Sequence, residues 1–224
     1  MSDVITVEAL DIEELDVDGA IREAEDAVEG DSRADFLRKA AVGGGALLGG
    51  GVLLSGLPAL AEAKPSKKQD IAILNYALTL EYLESAFYNE ALAGNALSPA
   101  NVNAARVIAK HEAAHVKFLK KGLGSRAVKK PKFDFKGTTG DNAKFIATAI
   151  TLEDTGVAAY AGQGPRLSQV PLVKAALSIH SVEARHAAAV RTLTGRQFAP
   201  AAFDKPKSMK QVLRAVKATG FIQS

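Results

Sequence analysis

The amino-acid sequence predicts an all-α fold in which four long helices form a bundle and a short fifth helix follows near the C-terminus. Four segments of similar length carry apolar residues every three or four positions, which is typical of helices with one buried face. Two of the connections between them are short and the middle one is long, which suits a crossover between the second and third helices. With 224 residues, 47% of them apolar, the chain can bury a hydrophobic core. It contains no cysteine, which excludes disulfides, zinc–thiolate sites and iron–sulfur clusters.

The first 63 residues differ from the rest of the chain in charge. Residues 1–63 hold 14 acidic and 4 basic residues, whereas residues 64–224 hold 11 acidic and 24 basic residues. Two segments this different are expected to have different roles. Residues 1–31 contain few large apolar side chains, so an acidic, disordered leader is predicted there. Residues 64–224 are predicted to form the helical bundle.

Residues 32–63 are predicted to be an export signal. The basic string Ser32–Lys39 precedes an apolar run, Ala40–Leu60, and small residues in a cleavage pattern follow up to Ala63. The string resembles a twin-arginine signal, although Ala34 stands where the second arginine belongs. An uncleaved membrane anchor is the alternative because the run is about as long as a membrane-spanning helix. Its seven glycines favour cleavage, so a periplasmic or extracellular location is expected.

The first two bundle helices have recognisable boundaries. Residues 69–92 are predicted to form the first because their apolar residues fall on one stripe. The second begins after Ser98-Pro99, a capping residue followed by proline at the first helical position, and ends at Gly122 or Gly124.

The long connection and the last three helices follow. Residues 125–140 are basic and contain proline and glycine. At up to ~3.3 Å per residue, this segment can span the ~36 Å length of a 24-residue helix. The third helix is predicted from Asp141 to Gly162 or Gly164, the fourth from Pro171 to Gly195, and the fifth from Ser208, with Gln211 completing a capping box, to Lys217.

Two of the helices carry the same motif, Glu-x-x-His, at residues 112–115 and 183–186. Residues three apart lie on one helix face, so the glutamate and the histidine can bind one ion together. The first and third helices each supply a lone glutamate, Glu81 and Glu153.

The two lone glutamates stand in matching contexts. Glu81 and Glu153 each follow an Ala-Leu/Ile-Thr-Leu string, and each precedes a tyrosine by seven positions, Tyr88 and Tyr160. The lone glutamate and the motif glutamate are 31 residues apart in the first pair of helices and 30 apart in the second. The domain is therefore predicted to be an internal repeat of two helical hairpins. Each of the four glutamates lies about 12 residues into its helix, so all four should meet at the middle of the core.

Four carboxylates in a bundle core are unfavourable without a counter-charge. Each loses several kcal/mol of hydration on burial, and together they raise one another's pKa. Two divalent cations balance four carboxylates, and carboxylate with imidazole is a ligand set for iron or manganese. Residues 64–224 hold six glutamates, and four stand at these positions, which favours metal binding over a metal-free bundle. The predicted ligands are Glu81, Glu112, His115, Glu153, Glu183 and His186.

Other polar residues near the motifs have open roles. Glu84 is the rival ligand on the first helix, but its repeat counterpart is Gly156, so the symmetry favours Glu81. Glu84 is left with a bridging or neighbouring role. Six other residues could either contact a ligand or simply be packed or exposed: His111, His180, Tyr88, Tyr160, Asp154 and Arg185.

At these residues the sequence resembles the ferritin-like superfamily, and it is most similar to exported ferritin-like proteins related to plant desiccation-associated proteins. The resemblance covers about residues 66–222. It includes the Leu-Glu-Tyr-Leu-Glu string at 80–84, both Glu-x-x-His motifs and the C-terminal tail. It implies a ferritin-like four-helix bundle in which the six predicted ligands hold two divalent metal ions. Iron is the expected metal and manganese the alternative.

The superfamily includes iron oxidation and storage, peroxide removal, manganese catalase activity and oxygen activation, and the fold does not choose among them. The first expectation is an exported oxidoreductase of stress defence that acts on oxygen or peroxide. The second is a non-catalytic structural or desiccation protein in which metal acts as a staple. Iron storage is disfavoured because few carboxylates remain after the ligands are assigned. No nucleic-acid binding is expected, and membrane contact is expected only through the export signal. The sequence leaves open whether the protein forms a homo-oligomer.

Overall fold

The structure, a computed structural model, describes residues 65–223. The predicted acidic leader, 1–31, and the export signal, 32–63, lie outside the described residues. Five α-helices and two short strands follow in chain order: α1 Lys67–Ala93, α2 Pro99–Leu123, β1 Lys132–Phe133, α3 Asn142–Gln163, α4 Val170–Thr192, α5 Met209–Thr219 and β2 Ile222–Gln223. The all-α prediction is confirmed.

Local capping chemistry determines where the helices begin. The Ser98 hydroxyl and the Asp141 carboxylate each accept a hydrogen bond from a first-turn backbone N–H, at the starts of α2 and α3. At the start of α5, Ser208 and Gln211 form the predicted capping box. These starts therefore lie where the sequence predicts them.

The four long helices pack as two hairpins, α1 with α2 and α3 with α4, and α1 also contacts α3 while α2 contacts α4. This is the arrangement that the internal repeat predicts. The apolar core forms two clusters, one around Phe87 and Phe145 and the other around Leu119, Leu123 and Ile179. The rings of Phe87 and Phe145 stack with centroids 5.2 Å apart.

The long connection is anchored by the end of the chain. Strand β1 pairs antiparallel with β2, with Phe133 opposite Ile222. Phe135, which is fully buried, packs edge-on against Phe87 and Phe221. The crossover between α2 and α3 is thus tied to the segment that follows α5.

Within residues 65–223, no helix is both long and apolar enough to cross a membrane.

Candidate metal centre

Four glutamates, one from each long helix, lie in the middle of the bundle. Glu81, Glu112, Glu153 and Glu183 are all 0% exposed. Helix burial patterns explain their depth, because each glutamate stands among residues that point into the core. The structure thus brings together the four glutamates that the matched contexts select.

Glu81, Glu112, His115 and Glu183 form a first ligand set, in which one ligand atom from each residue lies within 4.8 Å of all the others. The Nδ1 atom of His115 is 3.1 Å from Glu183 Oε1, 3.2 Å from Glu81 Oε2 and 3.4 Å from Glu112 Oε2. Three carboxylates and one imidazole therefore surround one small volume.

Glu112, Glu153, Glu183 and His186 form a second set with the same composition. The Nδ1 atom of His186 is 3.1 Å from Glu112 Oε1, 3.3 Å from Glu153 Oε2 and 3.6 Å from Glu183 Oε2.

Glu112 and Glu183 belong to both sets. In each of them one oxygen faces His115 and the other faces His186. A carboxylate placed in this way can bridge two ions. Each ion would then have one further glutamate and one histidine of its own. The geometry suits a two-ion centre with two shared and two unshared glutamates.

Five polar atoms of the centre lack hydrogen-bond partners among residues 65–223. This holds for Glu112 Oε1, Glu153 Oε2, both oxygens of Glu183, and His186 Nδ1, all of which are buried. Although His186 Nδ1 lies close to three carboxylates, the atoms are not aligned as hydrogen bonds. Buried carboxylates without partners are strongly unfavourable, and a cation at the point where these atoms converge would satisfy them. The residues therefore fit metal ions, and their oxygen and imidazole donors suit iron or manganese.

Without metal, protons must supply the counter-charge. Burial raises the pKa of Glu81 well above its ordinary value and that of Glu153 to about 8. Burial opposes a charged imidazole, but contacts with the carboxylates outweigh it and raise the pKa of His115 to about 12 and that of His186 to about 11. Metal binding to this centre must therefore displace protons.

The two lone glutamates are held by tyrosines of the opposite hairpin. The Tyr160 hydroxyl of α3 donates to Glu81 Oε1 of α1 at 2.5 Å, and the Tyr88 hydroxyl of α1 donates to Glu153 Oε1 of α3. In both cases the second oxygen, Oε2, is left facing a ligand histidine. Of the two roles open for these tyrosines, contact with a ligand is the one found, and they hold the glutamates in the orientation that an ion needs.

His111 also contacts a ligand. Its Nδ1 atom is 2.9 Å from Nε2 of His186, and the two rings are stacked with centroids 5.2 Å apart. If His186 binds an ion through Nδ1, its Nε2 carries the proton and donates to His111. His111 then fixes the orientation of His186 in the same way that the tyrosines fix the glutamates.

Glu84 is a fifth buried carboxylate beside the centre. It is 3% exposed but belongs to neither four-residue set. A Cβ atom on Gly156 would lie 3.1 Å from Glu84 Oε1 and 3.3 Å from Glu183 Oε2, so the glycine leaves room for both carboxylates. Burial, followed by the charge of Glu183, raises the pKa of Glu84 well above its ordinary value. The neighbouring role, rather than membership of a ligand set, is the one that the geometry supports.

The remaining residues do not contact the centre. Asp154 forms an ion pair with Arg191 instead of orienting an imidazole. His180 faces Asp204, with 3.8 Å between Nε2 and Oδ2, and Arg185 is exposed. Asp154 and Arg185 are next to or near ligands in the sequence but point to other sides of their helices, and His180, one turn before Glu183, faces Asp204.

A four-helix bundle with a buried cluster of carboxylates and imidazoles defines a class of helical proteins able to bind metal ions between their helices. The chain belongs to the ferritin-like domain family, whose family model matches residues 69–196, more than half of the sequence. A comparison with curated proteins finds no match. The relation to desiccation-associated proteins stays a prediction.

Proposed function

We propose that the protein is an exported di-iron carboxylate oxidoreductase that acts on dioxygen or peroxide in stress defence. The observation that carries this proposal is the sharing of Glu112 and Glu183 between two ligand sets of equal composition. A pair of reduced metal ions would supply the two electrons that, with two protons, convert one peroxide into two waters.

The chain's own residues support such a role by holding the ligands still. Tyr88, Tyr160 and His111 each bind the outward-facing atom of a ligand. The four ligand glutamates are fully buried, so their carboxylates are kept from bulk water. A centre that must keep its geometry while the charge of its ions changes needs both features.

The proposed location rests on the sequence of residues 32–63. A basic string, an apolar run and small residues follow one another there in the order of an export signal. Two reduced metals that react with oxidants outside the cytoplasm would suit a defence role.

A non-catalytic protein stapled by metal is the second candidate. The unpartnered carboxylate oxygens favour it equally, because a static ion would satisfy them as well as a reactive one. In that case metal would raise stability by mass action without any turnover.

One paired experiment separates the two candidates. Oxygen and peroxide consumption would be measured for the iron-loaded and manganese-loaded protein, together with thermal melts with and without metal. His115→Ala should abolish most turnover, and it should also lower the metal-free melting temperature, because the protonated imidazole balances buried carboxylates when no metal is bound. His180→Ala is the matched control, because this histidine of α4 faces Asp204 and belongs to neither ligand set. Negligible turnover with either metal, combined with a large metal-dependent rise in melting temperature, would refute the enzyme and support the staple.

A further inference from the structure

A small apolar pocket lies among all four bundle helices at the Glu81–His115 side of the centre. Its wall includes Ala77 from α1, Leu119 from α2, Ala159 from α3 and Ala176 from α4. The free volume is about 20 Å³. A cavity needs roughly 10–15 Å³ to hold a water molecule, so this one has room for a single very small molecule.

The pocket reaches from the protein surface to a residue that holds the centre. Phe118, which is 48% exposed, lines its outer side and stands one helical turn after His115. Tyr160 lines its inner side, and the hydroxyl of this tyrosine donates to Glu81. Ala77 stands one turn before Glu81 on the same face of α1. A molecule in the pocket would therefore be separated from the first ligand set by little more than one side chain.

The lining determines what can occupy this space. Alanine, leucine and isoleucine side chains form most of the wall, and within the described chain no charged residue lines it. Tyr76 and Gln163 reach the wall, but the surface that faces the free space is almost entirely carbon. Water in a cavity needs two to four polar partners, and peroxide, with two O–H donors, needs at least as many. A metal cation would find no ligand here. The occupant that fits is an uncharged, apolar molecule of about two atoms.

We propose that this pocket binds dioxygen and admits it to the Glu81–His115 side of the centre. The inference rests on the proposed function, and it selects dioxygen over peroxide as the molecule that uses this path. It also separates the path of the oxidant from that of the metal ions, which need polar ligands along their way.

Xenon and a filling substitution test the pocket. Xenon is apolar and occupies dry cavities in proteins. Crystals of the wild-type protein under xenon pressure should show one xenon atom between Phe118 and Tyr160. Ala176→Val should remove it and should raise the apparent KM for dioxygen of the iron-loaded protein several-fold, with unchanged iron stoichiometry. Ala189→Val is the matched control, since the same substitution on α4 falls at an exposed position.

A second variant keeps the inference testable if Ala176→Val does not fold. Phe118→Trp enlarges the partly exposed residue at the mouth and should raise the KM for dioxygen in the same direction. Wild-type crystals without xenon in the pocket, or a KM that neither variant changes, would overturn the inference. Xenon in the pocket of a protein that consumes peroxide but no dioxygen would overturn the inference and leave the proposed function standing, whereas a protein that consumes neither would overturn the proposed function.

Discussion

Replacing a shared ligand should affect both metal ions, whereas replacing an unshared ligand should affect one. Glu183 offers one oxygen to each ligand set, and Glu81 belongs only to the set of His115. Glu183→Gln and Glu81→Gln both remove one charge and keep the side-chain volume. In Glu81→Gln the amide oxygen can still accept the hydrogen bond of Tyr160, so the packing around it is kept. Any difference between the two variants therefore reports on sharing.

The expected magnitude depends on how many ions each substitution deprives of a ligand. Loss of a partner that only orients a metal ligand costs about 10–100-fold in affinity, which is about 1.4–2.7 kcal/mol, and loss of a ligand should cost at least as much for each ion that it binds. At a metal concentration that just saturates the wild type with two ions, Glu81→Gln should retain about one ion. Glu183→Gln should retain almost none.

Manganese(II) titration followed by the electron paramagnetic resonance signal of the free ion would measure this directly. Glu90→Gln serves as the control, because Glu90 is an exposed glutamate of α1 whose bond to Thr139 an amide can preserve. Equal stoichiometry in Glu81→Gln and Glu183→Gln would refute the shared geometry. Two ions retained in both would refute the ligand assignment itself.

Three further expectations concern pH, packing and processing. Folding raises the pKa of Glu153 from 4.5 to about 8 and that of His115 from 6.5 to about 12, so the folded metal-free protein binds protons more tightly than the unfolded chain. It should lose stability as pH rises from 4.5 through about 8 because of Glu153, and from 6.5 upward because of His115 as well. Calorimetry of the metal-free protein should show a falling melting temperature over this range, and a rising one would contradict the assignment, while the gain on adding metal should grow with pH. Gly156→Ala places a Cβ atom 3.1–3.3 Å from the oxygens of two glutamates, so it should weaken manganese binding and lower the free energy of unfolding by about 1–3 kcal/mol. The control Gly122→Ala, whose Cβ would have nothing within 4 Å, should not destabilise the protein. Equal melting temperatures and manganese affinities in the two variants would refute the crowding. The mature chain should begin near residues 62–64 outside the cytoplasm, and N-terminal sequencing that finds an intact start in the cytoplasmic fraction would rule out the export signal.

Local chemistry made most of the fold predictable. The starts of α2, α3 and α5 depend on Ser98, Asp141 and Ser208, whose side chains bond to backbone groups three residues away. The pairing of β1 with β2 depends instead on residues some 90 positions apart, over two residues each. So short a pairing leaves no periodic pattern in the sequence, and it could be found only in the folded chain.

The same distinction applies to the candidate site. The convergence of the six predicted ligands could be predicted from the sequence, because a motif repeated along the helices fixes both their face and their depth. The contact of His111 with His186 could not be predicted from the motif. On its own helix His111 points about 100° away from Glu112, and only the packing of α2 against α4 shows that another ligand lies in that direction. The cross-hairpin bonds of Tyr88 and Tyr160 likewise depend on how the two hairpins face each other.

The position at which the repeat fails, Glu84 against Gly156, is explained by the packing of the hairpins. Helices α1 and α3 face each other across the centre, so the two repeat-equivalent positions meet in one space instead of occupying separate ones. A Cβ atom at position 156 would lie 3.1 Å from Glu84 Oε1, so a side chain there would crowd the carboxylate. A glutamate at both positions would put two carboxylates into that space beside Glu183, with steric overlap and repulsion between like charges. One glutamate and one glycine therefore avoids this crowding, although in the sequence alone the pair looks like a mismatch.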